Sequence, residues 1–155
     1  MKLFGRTRTA VFPLPESLRA DLRTAIESAP PEVAALLRSP SGEPALLLLN
    51  SLVCDDESVS GLVYCIDPVT GADGYLALTE RRLLYARRPE SGRTELIATA
   101  FDQISDIYFR SSIARIEFGP GPKVVTVGFP HGGRYTRRFG EQLEAAAKAG
   151  KPGTS

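Results

Sequence analysis

Gly74-Tyr75-Leu76-Ala77-Leu78-Thr79-Glu80-Arg81-Arg82-Leu83-Leu84-Tyr85 is the stretch whose reading decides the fold. Leu76 and Leu78 alternate with the smaller Ala77, and Leu83 and Tyr85 alternate with Leu84, a period of two that sets one face of each arm on a core. The stretch therefore reads as two short strands folded back on each other. Between the arms lie Thr79, Glu80, Arg81 and Arg82, where a Thr hydroxyl can bond a backbone N–H two residues on and the charged side chains suit a solvated tip. Those four residues include neither Asn-Gly nor Asp-Gly, so the expected connection is four or five residues long, built on a type I turn.

Working outward, further apolar runs separated by turn residues continue the β pattern. The expected strands are Val59 to Ile66, Gly74 to Thr79, Arg82 to Ala86, Glu95 to Ala100, Ile104 to Arg110, Ala114 to Phe118 and Lys123 to Phe129. Turns are expected at Asp67 to Gly74, Pro89 to Arg93 and Gly119 to Pro122. Residues 130 to 138 read as a Gly- and Arg-rich connection. Phe139, Leu143, Ala146 and Ala147 then fall at i, i+4, i+7 and i+8, the stripe of a helix with one apolar face.

Gly-x-Leu-x-Leu-Thr-x-x-Arg-Leu-x-Tyr in the hairpin, Glu57 with Val59 upstream, and Phe101-x-x-Ile104-x-x-Ile107 downstream resemble the bacterial pleckstrin-homology-like domains, including the YokE-like and GRAM-related groups. The likeness spans roughly residues 57 to 148 and leaves the first forty or so outside it. It implies a mainly β (α+β) fold: a bent antiparallel sheet or partly open barrel of about seven strands, capped by a C-terminal helix that buries Phe139 and Leu143. It also implies a binding or assembly role and no catalytic residues. Phosphoinositide-binding members carry basic residues in the loop between the first two strands. Here that loop, Asp67 to Gly74, has two Asp and no Lys or Arg, which argues against inositide headgroup recognition.

Upstream, Leu18, Leu22, Ala25 and Ile26 share a helical stripe, predicting a helix over about 16–28 that Pro30-Pro31 stops. Pro31 suits the first turn of a second short helix with Val33, Leu36 and Leu37 on one face. A pair this small cannot stay folded alone, so its stripes must dock on the barrel or on another chain. The apolar run Ala45 to Val53 fits either a buried helix or a buried strand; leucine propensity and Pro44 favour a helix ending near Val53, with Asp55-Asp56-Glu57 as its polar exit. The organisation expected is an arm and two helices over 1–44, a PH-like domain over 45–149 and a loose tail over 150–155. Residues 1–15, ending in Pro13-Leu14-Pro15, read as an extended arm partly laid on the domain.

The chain of 155 residues carries a formal net charge of +1, so no general field exists to hold nucleic acid, and no nucleic-acid partner is expected. No apolar run reaches the ~20 residues needed to span a bilayer, and the start has no secretory pattern, so a cytoplasmic soluble protein is expected. Cys54 and Cys65 lack a C-x-x-C spacing and are read as reduced, Cys65 as a small core residue. His131 is the one histidine and sits in a turn, which rules out a His-based metal cluster. No nucleophile elbow, zinc-protease pair, phosphate loop or calcium loop is present, so no catalytic residue, cofactor or metal is expected.

Charge segregation remains. Residues 55 to 80 hold six acidic side chains and no basic one, whereas residues 81 to 93 hold Arg81, Arg82, Arg87, Arg88 and Arg93 against Glu90. A second basic group is Arg134, Arg137 and Arg138, with Lys123. Arginines near Tyr85 and Tyr135 can hold phosphate or carboxylate bidentately, or merely solubilise the surface. The candidate binding residues are thus Arg81, Arg82, Arg87, Arg88, Arg134, Arg137 and Arg138. The function expected is a non-catalytic module for a protein or peptide partner, or for its own copies as a homo-oligomer. Weak contact with anionic membrane through the arginines is the alternative, and a small enzyme using a pocket near His131 and Arg134 is the third reading.

Overall fold

In a computed structural model of the protein, the described residues are 12–88, 93–110, 112–121, 123–131 and 133–150. The arm before Phe12, most of the Pro89–Arg93 turn and the tail after Gly150 lie outside them. Among the described residues three helices come first: α1 (Ala20–Glu27), α2 (Pro31–Leu37) and α3 (Glu43–Leu52). The first begins later than its stripe suggests, because Arg19 stays extended with its N–H bonded to Asn50 Oδ1 at 2.7 Å. Pro31 opens α2, where its missing N–H costs nothing. The ambiguous leucine run is helical, with Pro44 and the acid Glu43 in its first turn.

Seven strands follow: β1 (Val59–Ile66), β2 (Asp73–Thr79), β3 (Arg82–Arg87), β4 (Glu95–Ala100), β5 (Ile104–Phe109), β6 (Ile113–Phe118) and β7 (Lys123–Gly128). They form one antiparallel sheet in the order β4-β3-β2-β1-β7-β6-β5. β1 pairs with β2 along its whole length, but with β7 only at Ile66 opposite Gly128. The sheet therefore bends there into two halves. In the central hairpin the last pair is Leu78 opposite Leu83. Because the strands run on to Thr79 and from Arg82, only Glu80 and Arg81 lie between them, fewer than the four or five residues expected. The Thr79 hydroxyl accepts the N–H groups of Arg81 and Arg82, each at 3.1 Å, so the turn is tied as the sequence suggests.

Burial departs from the one-faced pattern. β2 is buried from Gly74 to Thr79 without interruption. Leu76, Leu78 and Tyr85 face an inner core with Ile116, Phe139 and Leu143, as expected. Tyr75, Ala77 and Leu84 face a second core, packed by Leu22, Leu46 and Leu49 from the helices. The three N-terminal helices thus dock on the outer face of the first half. Each fully buried leucine there contributes roughly 1.5–3 kcal/mol. Tyr75 bolts the layers together, its hydroxyl donating to the Leu37 carbonyl at 2.8 Å.

α4 (Arg134–Ala149) closes the end of the barrel, with Phe139, Leu143 and Ala147 buried. It starts earlier than expected: the segment read as a connection over 130–138 is helical from Arg134 onward. Gly133, at φ +100, makes the sharp entry that an L side chain resists, and the Thr136 hydroxyl donates back to the His131 carbonyl. Gly140 has no side chain because the Phe109 ring occupies the space a Cβ would take. That ring also packs against Phe129 and Phe139, with centroids 5.0 and 6.3 Å away. Cys65 is fully buried in the inner core, and burial pushes its thiol far up; Cys54 is exposed at the α3–β1 junction.

Candidate functional site

The hairpin arginines do not form an open patch. Arg82 grips Glu57 with two hydrogen bonds of 2.9 Å, and the Thr79 hydroxyl and Cys54 N–H donate to the same carboxylate at 2.6 and 3.1 Å. Glu57 is only 1% exposed, and the Arg82 guanidinium, opposed by burial and helped by these two donors, holds its pKa down at about 2. The junction read as a polar exit, and the tip read as solvated, are therefore two halves of one clasp. Arg81 pairs with exposed Asp56 at 2.7 Å, and Glu80 accepts the Ser58 N–H at 2.9 Å. Arg19 reinforces the clasp, donating to the carbonyls of Val53 and Cys54 and pairing with Asp21, which in turn accepts the Val59 N–H.

Arg87 bridges Asp67 at 3.2 Å and Glu95 at 2.9 Å. Three pairs thus join the basic stretch to the acidic one, because the fold brings Arg81, Arg82 and Arg87 beside Asp56, Glu57 and Asp67. Arg88 is exposed; its backbone N–H bonds the Asp73 carbonyl, and its side chain has no ion pair among the described residues. Tyr85 is not beside an anion site either. It is buried in the inner core between the two halves of the sheet, its hydroxyl without a hydrogen-bond partner among the described residues although the Arg87 guanidinium is close.

The second basic group behaves differently. Arg134, Arg137 and Arg138 occupy the first two turns of α4, all exposed and without an ion pair among the described residues. Lys123 is not with them, since it opens β7 and the arginines follow the far end of that strand. Arg134 and Arg138 line a cleft of about 430 Å³. One wall is α4, with Tyr135, Phe139 and Gln142. The other is the α1–α2 corner, with Ala25, Ser28 and Pro30, and the floor is β1 at Ser60, Gly61 and Leu62. Tyr135 is pinned there by its hydroxyl, which donates to the Leu62 carbonyl at 2.6 Å, and burial raises its pKa.

The floor is shaped by a bulge. The β1–β2 register shifts between Val59 and Gly61, and a Cβ on Gly61 would come within 3.3 Å of the Phe139 ring. Sequence reasoning found the two arginines but not Gly61, Ser60 or the α1–α2 corner. A glycine inside the apolar run Val59 to Ile66 was the available signal, since such a glycine marks a close approach. Among the described residues no carboxylate lines the cleft, so its walls combine apolar surface with two cationic groups. His131 is half-buried and outside it. Among the described residues no group of three or more His, Cys, Asp or Glu could hold a metal ion, and no helix is long and apolar enough to cross a membrane.

A bent antiparallel sheet closed by a C-terminal helix, mainly β with helical parts, defines the pleckstrin-homology-like class of fold. Within that class the chain is similar to a solved structure, the hSac2 domain from human phosphoinositide phosphatase Sac2, at 16% identity and a TM-score of 0.51, covering 72% of this chain and 85% of that one. At that identity the likeness shows the fold and does not extend to the YokE-like bacterial group. No family model matches the chain, and no curated protein matches it.

Proposed function

We propose that the protein is a non-catalytic interaction module, akin to the bacterial PH-like domains its hairpin motif resembles, and that it engages a protein or peptide partner at the cleft between α4, β1 and the α1–α2 corner. The observation that carries this reading is the contrast among arginines. Arg81, Arg82 and Arg87 are engaged by carboxylates of the fold itself, while Arg134 and Arg138 stand over a concave, partly apolar surface with no acid in its lining among the described residues. Concave sites of this size with a few convergent polar groups are the usual places for a ligand. A cytoplasmic location fits two unpaired cysteines.

Ser28→Trp fills the cleft from its exposed rim and leaves both cores intact. Pull-down from native extract, paired with light scattering, is expected to show a partner, or a second copy, that this variant loses. Equal capture by the variant would overturn the assignment of the cleft. Turnover found in a substrate screen and abolished in His131→Ala would overturn the non-catalytic reading.

A second reading rests on the exposure of Arg134, Arg137 and Arg138 together at one end of α4. Basic residues at an anionic membrane surface contribute about 1 kcal/mol each. Recruitment to anionic liposomes, lost at high salt and in Arg134→Ala/Arg137→Ala/Arg138→Ala, would favour it over a protein partner.

A further inference from the structure

We infer that the cleft takes an acidic segment of a partner protein in extended conformation, laid along α4 with carboxylates two residues apart on Arg134 and Arg138. This rests on reading the cleft as the protein-binding site, and names the chemistry that enters it. Arg134, Arg138 and Gln142 stand at i, i+4 and i+8 on the cleft-facing side of α4. At 1.5 Å of rise per residue the two arginines are about 6 Å apart along the axis. Side chains on one face of an extended chain recur every ~6.6 Å. Glu or Asp at positions i and i+2 of a guest therefore matches the arginine spacing, and position i+4 meets the Gln142 amide.

The intervening residues of such a guest turn the other way, toward the apolar part of the lining at Ala25 and Leu62. The floor suits an extended chain as well. Among the described residues, β1 has a strand partner from Gly61 to Cys65 on the β2 side alone. The Leu62 carbonyl, in that floor, accepts the Tyr135 hydroxyl at 2.6 Å. Guanidinium groups hold carboxylates bidentately, and the lining has no acid among the described residues to compete for them.

The test is selection of a random 12-residue peptide display library on the full chain, repeated on Arg134→Glu/Arg138→Glu. The wild type is expected to enrich Asp or Glu at alternate positions with apolar residues between them. The double variant should lose that enrichment, select Lys or Arg in its place, and bind a wild-type-selected peptide ~10-fold more weakly or worse. Glutamates near the positive end of a helix are favoured, so α4 should survive, which a circular-dichroism melt checks. Enrichment without acidic spacing, or unchanged in the variant, would overturn the inference. So would salt-sensitive recruitment to phosphatidylserine vesicles that the double variant loses, which would assign the arginines to a membrane. If Ser28→Trp abolishes peptide binding and the arginine reversals do not, the cleft binds a partner without this acidity, and the inference falls alone. If no selected peptide is blocked by Ser28→Trp, both readings fall.

Discussion

The two halves of the sheet are built from similar strands and treated differently by the rest of the chain. β1, β2 and β3 lie between two cores, helices on one side and the barrel interior on the other. β5, β6 and β7 cover the interior with one face and leave the other bare, with Tyr108, Ile113 and Val124 between 37% and 51% exposed. The local sequences record this. β2, Asp-Gly-Tyr-Leu-Ala-Leu-Thr, offers nothing charged past its first residue, whereas β6, Ile-Ala-Arg-Ile-Glu-Phe, alternates buried and open positions. A short apolar strand without polar alternation signals cover on both faces.

The sharpest way to break this comparison is to weaken the helical layer. Leu46→Ala in α3 should cost about 2–5 kcal/mol in urea unfolding, as much as Leu143→Ala in the barrel cap, since both side chains are fully buried. A cost under about 1 kcal/mol for Leu46→Ala alone would mean that the layer is detachable. Next is the Glu57 clasp, which ties the layer's exit to the hairpin tip. Its pKa falls from 4.5 to about 2 on folding, so the unfolded chain binds the proton more readily. The stabilisation, about 3 kcal/mol, is complete above pH 4.5 and is lost as pH drops toward 2. Glu57→Gln should flatten that part of the stability–pH curve.

Smaller effects sharpen the contrast. Tyr75→Phe removes the hydroxyl that spans sheet and helices and leaves the Leu37 carbonyl without it, an expected loss of about 1–2 kcal/mol by thermal melt. Val124→Thr, on the bare face of β7, should stay within about 0.5 kcal/mol of the parent.

Strand positions were legible because alternation and turn residues act locally. Val59–Ile66 and Glu95–Ala100 match their expected bounds, and the Thr79 turn bond follows from one hydroxyl. The Glu57 clasp was not legible, because its partners are 22 and 25 residues away and a lone acid after Asp55-Asp56 looks solvated. The early start of α4 was hidden for a related reason. Arg134 to Arg138 follow a Gly-Gly pair and carry no apolar stripe; Tyr135 and Thr136, bonded to Leu62 and His131, hold that turn. Of the cleft, the sequence offered two arginines and a glycine, since its walls come from three separated segments that only the assembled fold brings together.

The two thiols give the molecule a built-in reporter. Cys54 faces water beside Arg82, while Cys65 is sealed among the inner side chains. A maleimide dye should therefore couple once per chain in native buffer and twice in denaturant. Counting the second coupling over time would follow the opening of the barrel without any engineered label.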